Sequence, residues 1–296
     1  MSDTILITGA GGKLGGRIIH HLLERGVAPS RIVAGTRDTA KLAALTARGV
    51  SVRKVDFDDE ASLPKALAGA DTVLVVSTDA LDGAGTRLKQ HRAAIKAAAA
   101  AGAKRLAYTS LPDPEHSRVS FAPDHLGSEQ AVEATGLPYL IFRNCWYQEN
   151  LFMGLPAAFR SGHWYTSAGE GRTSFVARDD IAAAIAAALA DPPAGSATYT
   201  LTGTEAFTNE AVAKLASAAV GKPLQVVQLT DEQLAGGMKA AGLPDAIIPT
   251  LVSFDAATRA GNLAMVTGDV EALSGRKSLP LADFITANKA ALAGEA

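Results

Sequence analysis

The sequence predicts a doubly wound α/β fold: a parallel sheet of about six strands, helices on both faces, and a smaller cap interleaved with the C-terminal half. Three observations predict it. Over the first 143 residues, short β-branched runs alternate with helical stretches. A glycine-rich turn, Thr8-Gly9-Ala10-Gly11-Gly12-Lys13-Leu14-Gly15, stands where the first strand gives way to the first helix. Beyond Phe142 the alternation yields to clustered aromatic residues.

Taken in order, strands are expected at Thr4–Thr8, Arg31–Thr36, Ser51–Val55, Thr72–Ser77, Arg105–Thr109 and Tyr139–Phe142. Helices are expected at Lys13–Arg25, Ala40–Arg48, Ala61–Ala68, Thr86–Ala101 and Leu126–Thr135. Strands joined by helices of this length pair in parallel, because each crossover returns the chain to the same end of the sheet. Residues 144–175 then gather Trp146, Tyr147, Phe152, Phe159, Trp164 and Tyr165. A helix at Asp179–Ala190 and a strand at Thr198–Leu201 return to the sheet. From Phe207 onward two or three helices and a strand at Leu224–Leu229 are expected, with a turn over the sheet in the Gly- and Pro-rich segment Gly236–Pro249. The expected division is 1–143 plus 174–204 for the sheet domain and 144–173 plus 205–296 for the cap.

Composition narrows the function classes. The 296 residues carry 28 basic and 30 acidic side chains, a net charge of −2. That balance gives no footprint for nucleic acid or an anionic membrane surface. One cysteine, Cys145, excludes an intramolecular disulfide and a cysteine-built metal site, and the six histidines show no ligand spacing. The alanine-rich runs Ala97–Ala101 and Ile181–Ala190 are too short to span a bilayer. The first twenty residues reach the glycine turn without a cleavable apolar stretch. A soluble cytoplasmic protein is expected.

The glycine turn is the strongest motif. Gly9, Gly12 and Gly15 follow a strand and open a helix, the context in which such a turn holds a dinucleotide pyrophosphate. The helix N-terminus adds free N–H groups and the positive end of its dipole, so Thr8, Gly9, Gly11, Gly12, Lys13, Leu14 and Gly15 are the expected phosphate-binding residues. The end of the second strand chooses the dinucleotide. An acid there holds a ribose 2′-hydroxyl, whereas a guanidinium pairs with a 2′-phosphate. This strand ends in Thr36-Arg37, with Asp38 one position later and Lys41 four residues beyond Arg37. NADPH is therefore the expected cofactor. Asp56 and Phe57 follow the third strand, where Phe57 is placed to stack on an adenine.

Further residues carry a family resemblance: the Thr-Gly-x-x-Gly-x-x-Gly turn, Arg37, Tyr108-Thr109-Ser110, Arg143-Asn144-Cys145-Trp146-Tyr147-Gln148-Glu149-Asn150, Ala168-Gly169-Glu170-Gly171 and Arg178-Asp179-Asp180-Ile181. Together they resemble the NmrA-like branch of the atypical short-chain dehydrogenase/reductases, which has a Rossmann fold. Within that branch they are most similar to bacterial NADPH-dependent quinone oxidoreductases of the second type, with triphenylmethane reductases nearby. The resemblance implies reduction of a quinone or similar aromatic acceptor by NADPH. It also admits two other readings: a reductase of cationic dyes or other conjugated electrophiles, and an NADP(H)-binding redox sensor that does not turn over.

One departure from ordinary short-chain dehydrogenases limits the chemistry. Those enzymes use a tyrosine and a lysine four residues later on one helical face, with the phenol protonating the alkoxide. None of the five tyrosines here, Tyr108, Tyr139, Tyr147, Tyr165 and Tyr199, has such a lysine. An alkoxide has a conjugate acid about as weak as water, so a ketone needs a positioned acid. A hydroquinone anion is phenol-like, with a pKa of about 10, and water can complete its protonation. The missing pair therefore points to direct hydride transfer to a delocalised electrophile.

Residues beyond the strand ends supply the rest of the expected site. Ser77, Thr78, Ser110 and Asn144 follow the fourth, fifth and sixth strands, at the nicotinamide end. Ser110 is read either as a hydrogen-bond donor to the acceptor or as a turn hydroxyl. Asn144 is read as positioning the nicotinamide or as capping a loop. Tyr147 is expected to face the acceptor while Trp146 anchors the cap, the alternative being that both rings are core. His125 is read as a donor to the acceptor or as a histidine at a helix start. Cys145 has no identifiable base beside it. The helix at Thr86–Ala101 leaves a homodimer open.

Overall fold

The computed structural model describes residues 3–82 and 85–295. In order these form β1 (Ile5–Ile7), α1 (Lys13–Glu24), β2 (Ile32–Thr36), α2 (Ala43–Ala47), β3 (Ser51–Lys54), α3 (Leu63–Leu67), β4 (Thr72–Val75), α4 (Thr86–Ala100), β5 (Arg105–Ser110), α5 (Ala122–Glu133) and β6 (Tyr139–Asn144). There follow α6 (Leu151–Ser161), β7 (His163–Thr166), β8 (Thr173–Ser174), α7 (Arg178–Ala190), β9 (Ala197–Leu201), β10 (Ala206–Phe207), α8 (Asn209–Val220) and β11 (Gln225–Gln228). The chain ends in α9 (Asp231–Ala240), α10 (Ile248–Arg259), α11 (Asp269–Ser274), α12 (Leu281–Ala287) and α13 (Lys289–Leu292).

Seven of the described strands make one parallel sheet in the order β3-β2-β1-β4-β5-β6-β9. The six expected strands and the return strand are all present, with ends displaced by a residue or two. Alternation along each strand sorts side chains between the faces. Ile5, Ile7, Leu74, Leu140 and Phe142 pack under α1 and α7, while Leu6, Val33, Val75, Leu106 and Tyr108 pack under α3, α4 and α5. The abundant alanine has its explanation here: Ala182, Ala184, Ala186 and Ala188 of α7 are buried in the same core as Ile18, Ile19 and Leu22 of α1.

The second half corrects one expectation, the number of helices, and fills in detail around it. Residues 151–161 form α6, with Gly154 and Pro156 inside it. The sequence reading assigns no element to this stretch. The region after Phe207 holds six described helices instead of two or three. Gly236 and Gly237 lie within α9, and the chain reverses only in the stretch from Gly242 to Ile247 before Pro249 opens α10. Leu151, Leu155, Phe159, Phe175, Val212, Ala216, Phe284 and Ile285 share a separate core beside the sheet. The inward side of α4, including His91, Ala94, Ile95 and Ala98, is covered within the chain. No helix of the described residues is long and apolar enough to cross a membrane.

A buried polar network ties β4, β5, α4 and α5 together at the end of the sheet that carries the site. The Thr78 backbone N–H donates to His91 Nε2 at 2.9 Å, so His91 carries its proton on Nδ1, which faces Ser128 Oγ at 2.9 Å and Tyr108 Oη at 3.2 Å. Arg87 Nη2 donates to His125 Nε2 at 3.1 Å, so His125 carries its proton on Nδ1 and gives it to Tyr108 Oη at 2.8 Å. Ser128 Oγ passes the chain on to the Asp124 carbonyl at 2.6 Å. Burial and the neighbouring Arg87 charge push His91 down to about 3 and His125 well below its ordinary value.

Both folded-state pKa values lie below the unfolded one. Stability from the neutral histidines is therefore complete above about pH 6.5 and is lost as pH falls toward the folded values, at ~1.4 kcal/mol per pH unit for each proton. His91→Gln keeps an acceptor for the Thr78 N–H and removes one of these titrations. Its denaturant-unfolding free energy should fall less steeply between pH 6 and 4 than that of the wild type, by about one proton's slope. Parallel slopes would mean that His91 is already protonated in the fold.

Candidate functional site

The C-terminal ends of β1, β2, β4, β5 and β6 open into one cleft of about 1010 Å³, roofed by Met153, Ile247, Leu251 and Phe254 from α6, α10 and the loop before α10. Every residue expected at the site from the sequence lines it: the turn from Thr8 to Gly15, Arg37, Lys41, Asp56, Phe57, Ser77, Thr78, Ser110, His125, Asn144 and Tyr147, with Ala10 behind the turn instead.

At the glycine end, Gly9 has φ +61°, open to glycine at little cost. A Cβ on Gly15 would be driven into the Gly9 carbonyl oxygen, and one on Gly12 would sit 3.1 Å from the same atom. The first turn of α1 is thus pressed onto the preceding turn, and no side chain caps it at Gly12. Its first N–H groups have no intrahelical acceptor, and they stand at the cleft wall.

Next to this turn, Arg37 is exposed on the rim, and none of the described hydrogen bonds or ion pairs engages its guanidinium. The acid beside it is turned to local use. Asp38 accepts from the Ala40 N–H at 3.1 Å and lies 3.9 Å from Lys41 Nζ, so it caps the turn that starts the following segment. Asp56 likewise accepts from the Asp58 N–H at 3.2 Å, leaving the half-buried Phe57 ring as the apolar surface at this end.

At the far end, three side chains beyond the strand ends carry buried polar atoms with no partner among the described residues, Thr78 Oγ1, Ser110 Oγ and Asn144 Oδ1, and the cleft also holds Arg87 Nε and Gln90 Oε1 in the same state. An unsatisfied buried group costs about 1–3 kcal/mol. Three around one cavity mark a place where a ligand's polar groups complete the bonding. Ser77 differs from these three. Its N–H donates to Thr109 Oγ1 at 2.8 Å and its hydroxyl accepts from the same group, so it ties β4 to β5.

Both rings of the aromatic loop after β6 line the cleft and pack against the first core. Trp146 packs on Phe254 with centroids 4.5 Å apart and touches both cores, and Tyr147 lies under the Arg178 guanidinium at 4.6 Å. Burial raises the Tyr147 pKa, opposed by Arg178 and by a hydrogen bond with Asn144. Arg143, adjacent in sequence, points away from the cleft into a two-pronged pair with the buried Glu129, at 3.0 and 2.6 Å.

One reading of the sequence is revised, and the exclusion of Cys145 holds. His125 reaches the cleft, but both ring nitrogens are committed, one to Arg87 and one to Tyr108, so it has no proton to offer an acceptor. Cys145 is buried beside the Leu263 carbonyl and its thiol is pushed up to about 12, which removes it as a nucleophile. Cleft residues not singled out from the sequence include Arg87, Gln90, Phe121 and Phe254. They come from helix starts and from the distant α10, and only tertiary contact brings them together.

The chain is 35 % identical over 282 residues to quinone oxidoreductase 2 of Escherichia coli K12, covering 95 % of this chain and 97 % of that one. The crystal structure of that enzyme complexed with NADPH superposes with a TM-score of 0.91 over 96 % of this chain and 99 % of that one. An NAD(P)H azoreductase of Xenophilus azovorans is 31 % identical, with 97 % and 98 % covered. The Citrobacter triphenylmethane reductase complexed with NADP(H) has a TM-score of 0.89 at 32 % identity, with 97 % and 100 % covered. The NmrA-like family model matches residues 1–272, and the chain belongs to that family.

Proposed function

We propose that this chain is an NADPH-dependent oxidoreductase that delivers hydride directly to a quinone or similar conjugated acceptor. One observation carries the reading: a single cleft joins a glycine cradle and an unpaired arginine at one end to three unsatisfied polar atoms at the other, with no tyrosine–lysine pair between them. The E. coli and Citrobacter relatives, seen with NADPH or NADP(H), support the cofactor.

The residues present fit that cofactor. The turn from Gly9 to Gly15 and the start of α1 would hold the pyrophosphate, Arg37 and Lys41 the 2′-phosphate, and Phe57 with Asp56 the adenosine side. Thr78, Ser110 and Asn144 would satisfy the polar groups of the nicotinamide end. Bound NADPH supplies the hydride. The protein orients the acceptor against Tyr147 under a roof of Phe254, Ile247 and Leu251, which excludes water. Tyr147 and Ser110 are the hydroxyls positioned to donate to an acceptor oxygen. Reduction of an azo or triphenylmethane dye is the second reading, favoured by the two dye-reducing relatives. The division into a nucleotide-binding part, 1–143 plus 174–204, and a capping part is proposed with it. A lone cysteine held as a buried thiol suits the reducing cytoplasm.

Steady oxidation of NADPH in the presence of para-quinones tests the reading, and binding without turnover would make the protein a sensor. Arg37→Asp should weaken NADPH binding by about one to two decades and spare NADH, because a charge-assisted bond contributes ~1.5–3 kcal/mol. Equal NADPH affinity in titrations of both proteins would remove Arg37 from the 2′-phosphate site. Unactivated aliphatic ketones should be reduced far more slowly than para-quinones at equal concentration and pH, since no group in the cleft is placed as a strong general acid. Comparable rates would reveal such an acid.

A further inference from the structure

Arg87 is the cleft residue that the fold itself leaves unexplained. It is only 7 % exposed, and its Nε has no partner among the described residues. Among those residues no carboxylate comes within ion-pairing distance of it. Asp79 and Asp124 act on it only through space, and burial lowers its pKa. Its described contacts are the neutral His125 nitrogen at 3.1 Å and the face of Phe121, 4.8 Å from the guanidinium. A buried cation without a paired anion is costly, so a fold that keeps one in a ligand cleft holds it for charge that arrives with the ligand.

Resting on the quinone-reductase reading, we propose that the Arg87 guanidinium receives the negative charge that hydride transfer leaves on the acceptor oxygen, and so favours neutral quinones over cationic dyes. Hydride brings two electrons and one proton to the quinone. NADPH is oxidised to NADP+, and the quinone becomes a hydroquinone monoanion that takes its second proton from solvent. That anion is the charge Arg87 lacks in the resting cleft. A cationic triphenylmethane dye reverses the sign: it enters charged and leaves neutral, so a buried guanidinium opposes its binding.

The neighbouring network makes this charge dependable. Since His125 and His91 are both neutral, with tautomers fixed by Arg87 and by the Thr78 N–H, the guanidinium is the positive group of this cluster. Helix α4 begins one residue before Arg87, so the N-terminal end of its dipole lies beside the same spot. Tyr108 holds His125 in place from behind, which restricts the guanidinium to one side of the Phe121 ring.

The test uses 4-nitrophenol, whose phenolate colour reports its charge, bound to the NADP+-loaded protein. An opposite charge within a few ångströms lowers such a pKa by 1–3 units, so the bound probe should ionise at least one pH unit below the free one. In Arg87→Met it should ionise at or above the free value, and in Arg87→Lys below it. In turnover with NADPH, Arg87→Met should lose ten- to a hundredfold in kcat/KM for a para-quinone and lose nothing for a cationic triphenylmethane dye. Identical probe ionisation in wild type and Arg87→Met overturns the proposal, as does an equal loss of rate for quinone and dye. If the Met variant melts, Arg87→Gln titrated beside wild type decides the matter, since the positive nicotinamide is the same in both. If wild type oxidises no NADPH with any quinone while the probe still ionises early, the reductase reading fails and the anion site stands.

Discussion

No side chain fits between the first turn of α1 and the turn that leads into it. The Gly9 carbonyl occupies the place where a Cβ on Gly15 would stand. That contact sets how α1 leaves β1, and with it where the open N–H groups of the helix point. The same face of α1 continues through Ile18, Ile19 and Leu22 into the core that also holds the α7 alanines. Strand, helix and second helix stack with little tolerance, and the glycine end of the cleft inherits that rigidity. A pyrophosphate seat built from main chain is only as well defined as the packing beneath it.

The other end of the cleft is held by different means. Tyr108 Oη sits between two imidazoles, each locked in one tautomer by an obligate donor on its far nitrogen. Through them a β5 side chain fixes the Thr78 backbone after β4 and the Arg87 side chain at the start of α4. Below, the Arg143–Glu129 pair fastens β6 to α5. The tyrosine and histidine that a short-chain dehydrogenase reading would search for catalysis serve here as scaffold, with their protons directed inward. The polar atoms left over for a ligand, on Thr78, Ser110 and Asn144, belong to short side chains at or just beyond strand ends.

Most of the sheet was legible because buried parallel strands are apolar on both faces and bounded by turns, a pattern local enough to read from Ile5–Ile7 or Thr72–Val75 alone. The glycine turn and Arg37 were legible for the same reason: their geometry is set within a few residues. The helix at Leu151–Ser161 was not, since Gly154 and Pro156 lower its intrinsic propensity and the apolar contacts of Leu155 and Phe159 with α8 and α12 restore it. Arg87 and Phe254 were equally hidden. One is a charged residue at a helix start and the other a ring far along the chain, and neither has a meaning until the cleft exists. His125 shows the converse, a residue placed correctly whose bonding was settled by neighbours that sequence spacing does not reveal.

The seventh strand carries a consequence for how the molecule comes into being on the ribosome. β9 pairs with β6, yet α6, the two short strands after it and α7 lie between them along the chain. The edge of the sheet therefore stays open while those segments emerge, and part of the roof is synthesised before the wall it leans on is closed. The remaining roof residues, Ile247, Leu251 and Phe254, arrive later still. A nascent chain holds the glycine turn and Arg37 early, but a complete cleft only near the end of translation. Truncated chains released before α10 would carry a cofactor seat open to water, a form that invites wasteful side reactions and marks them for proteolysis.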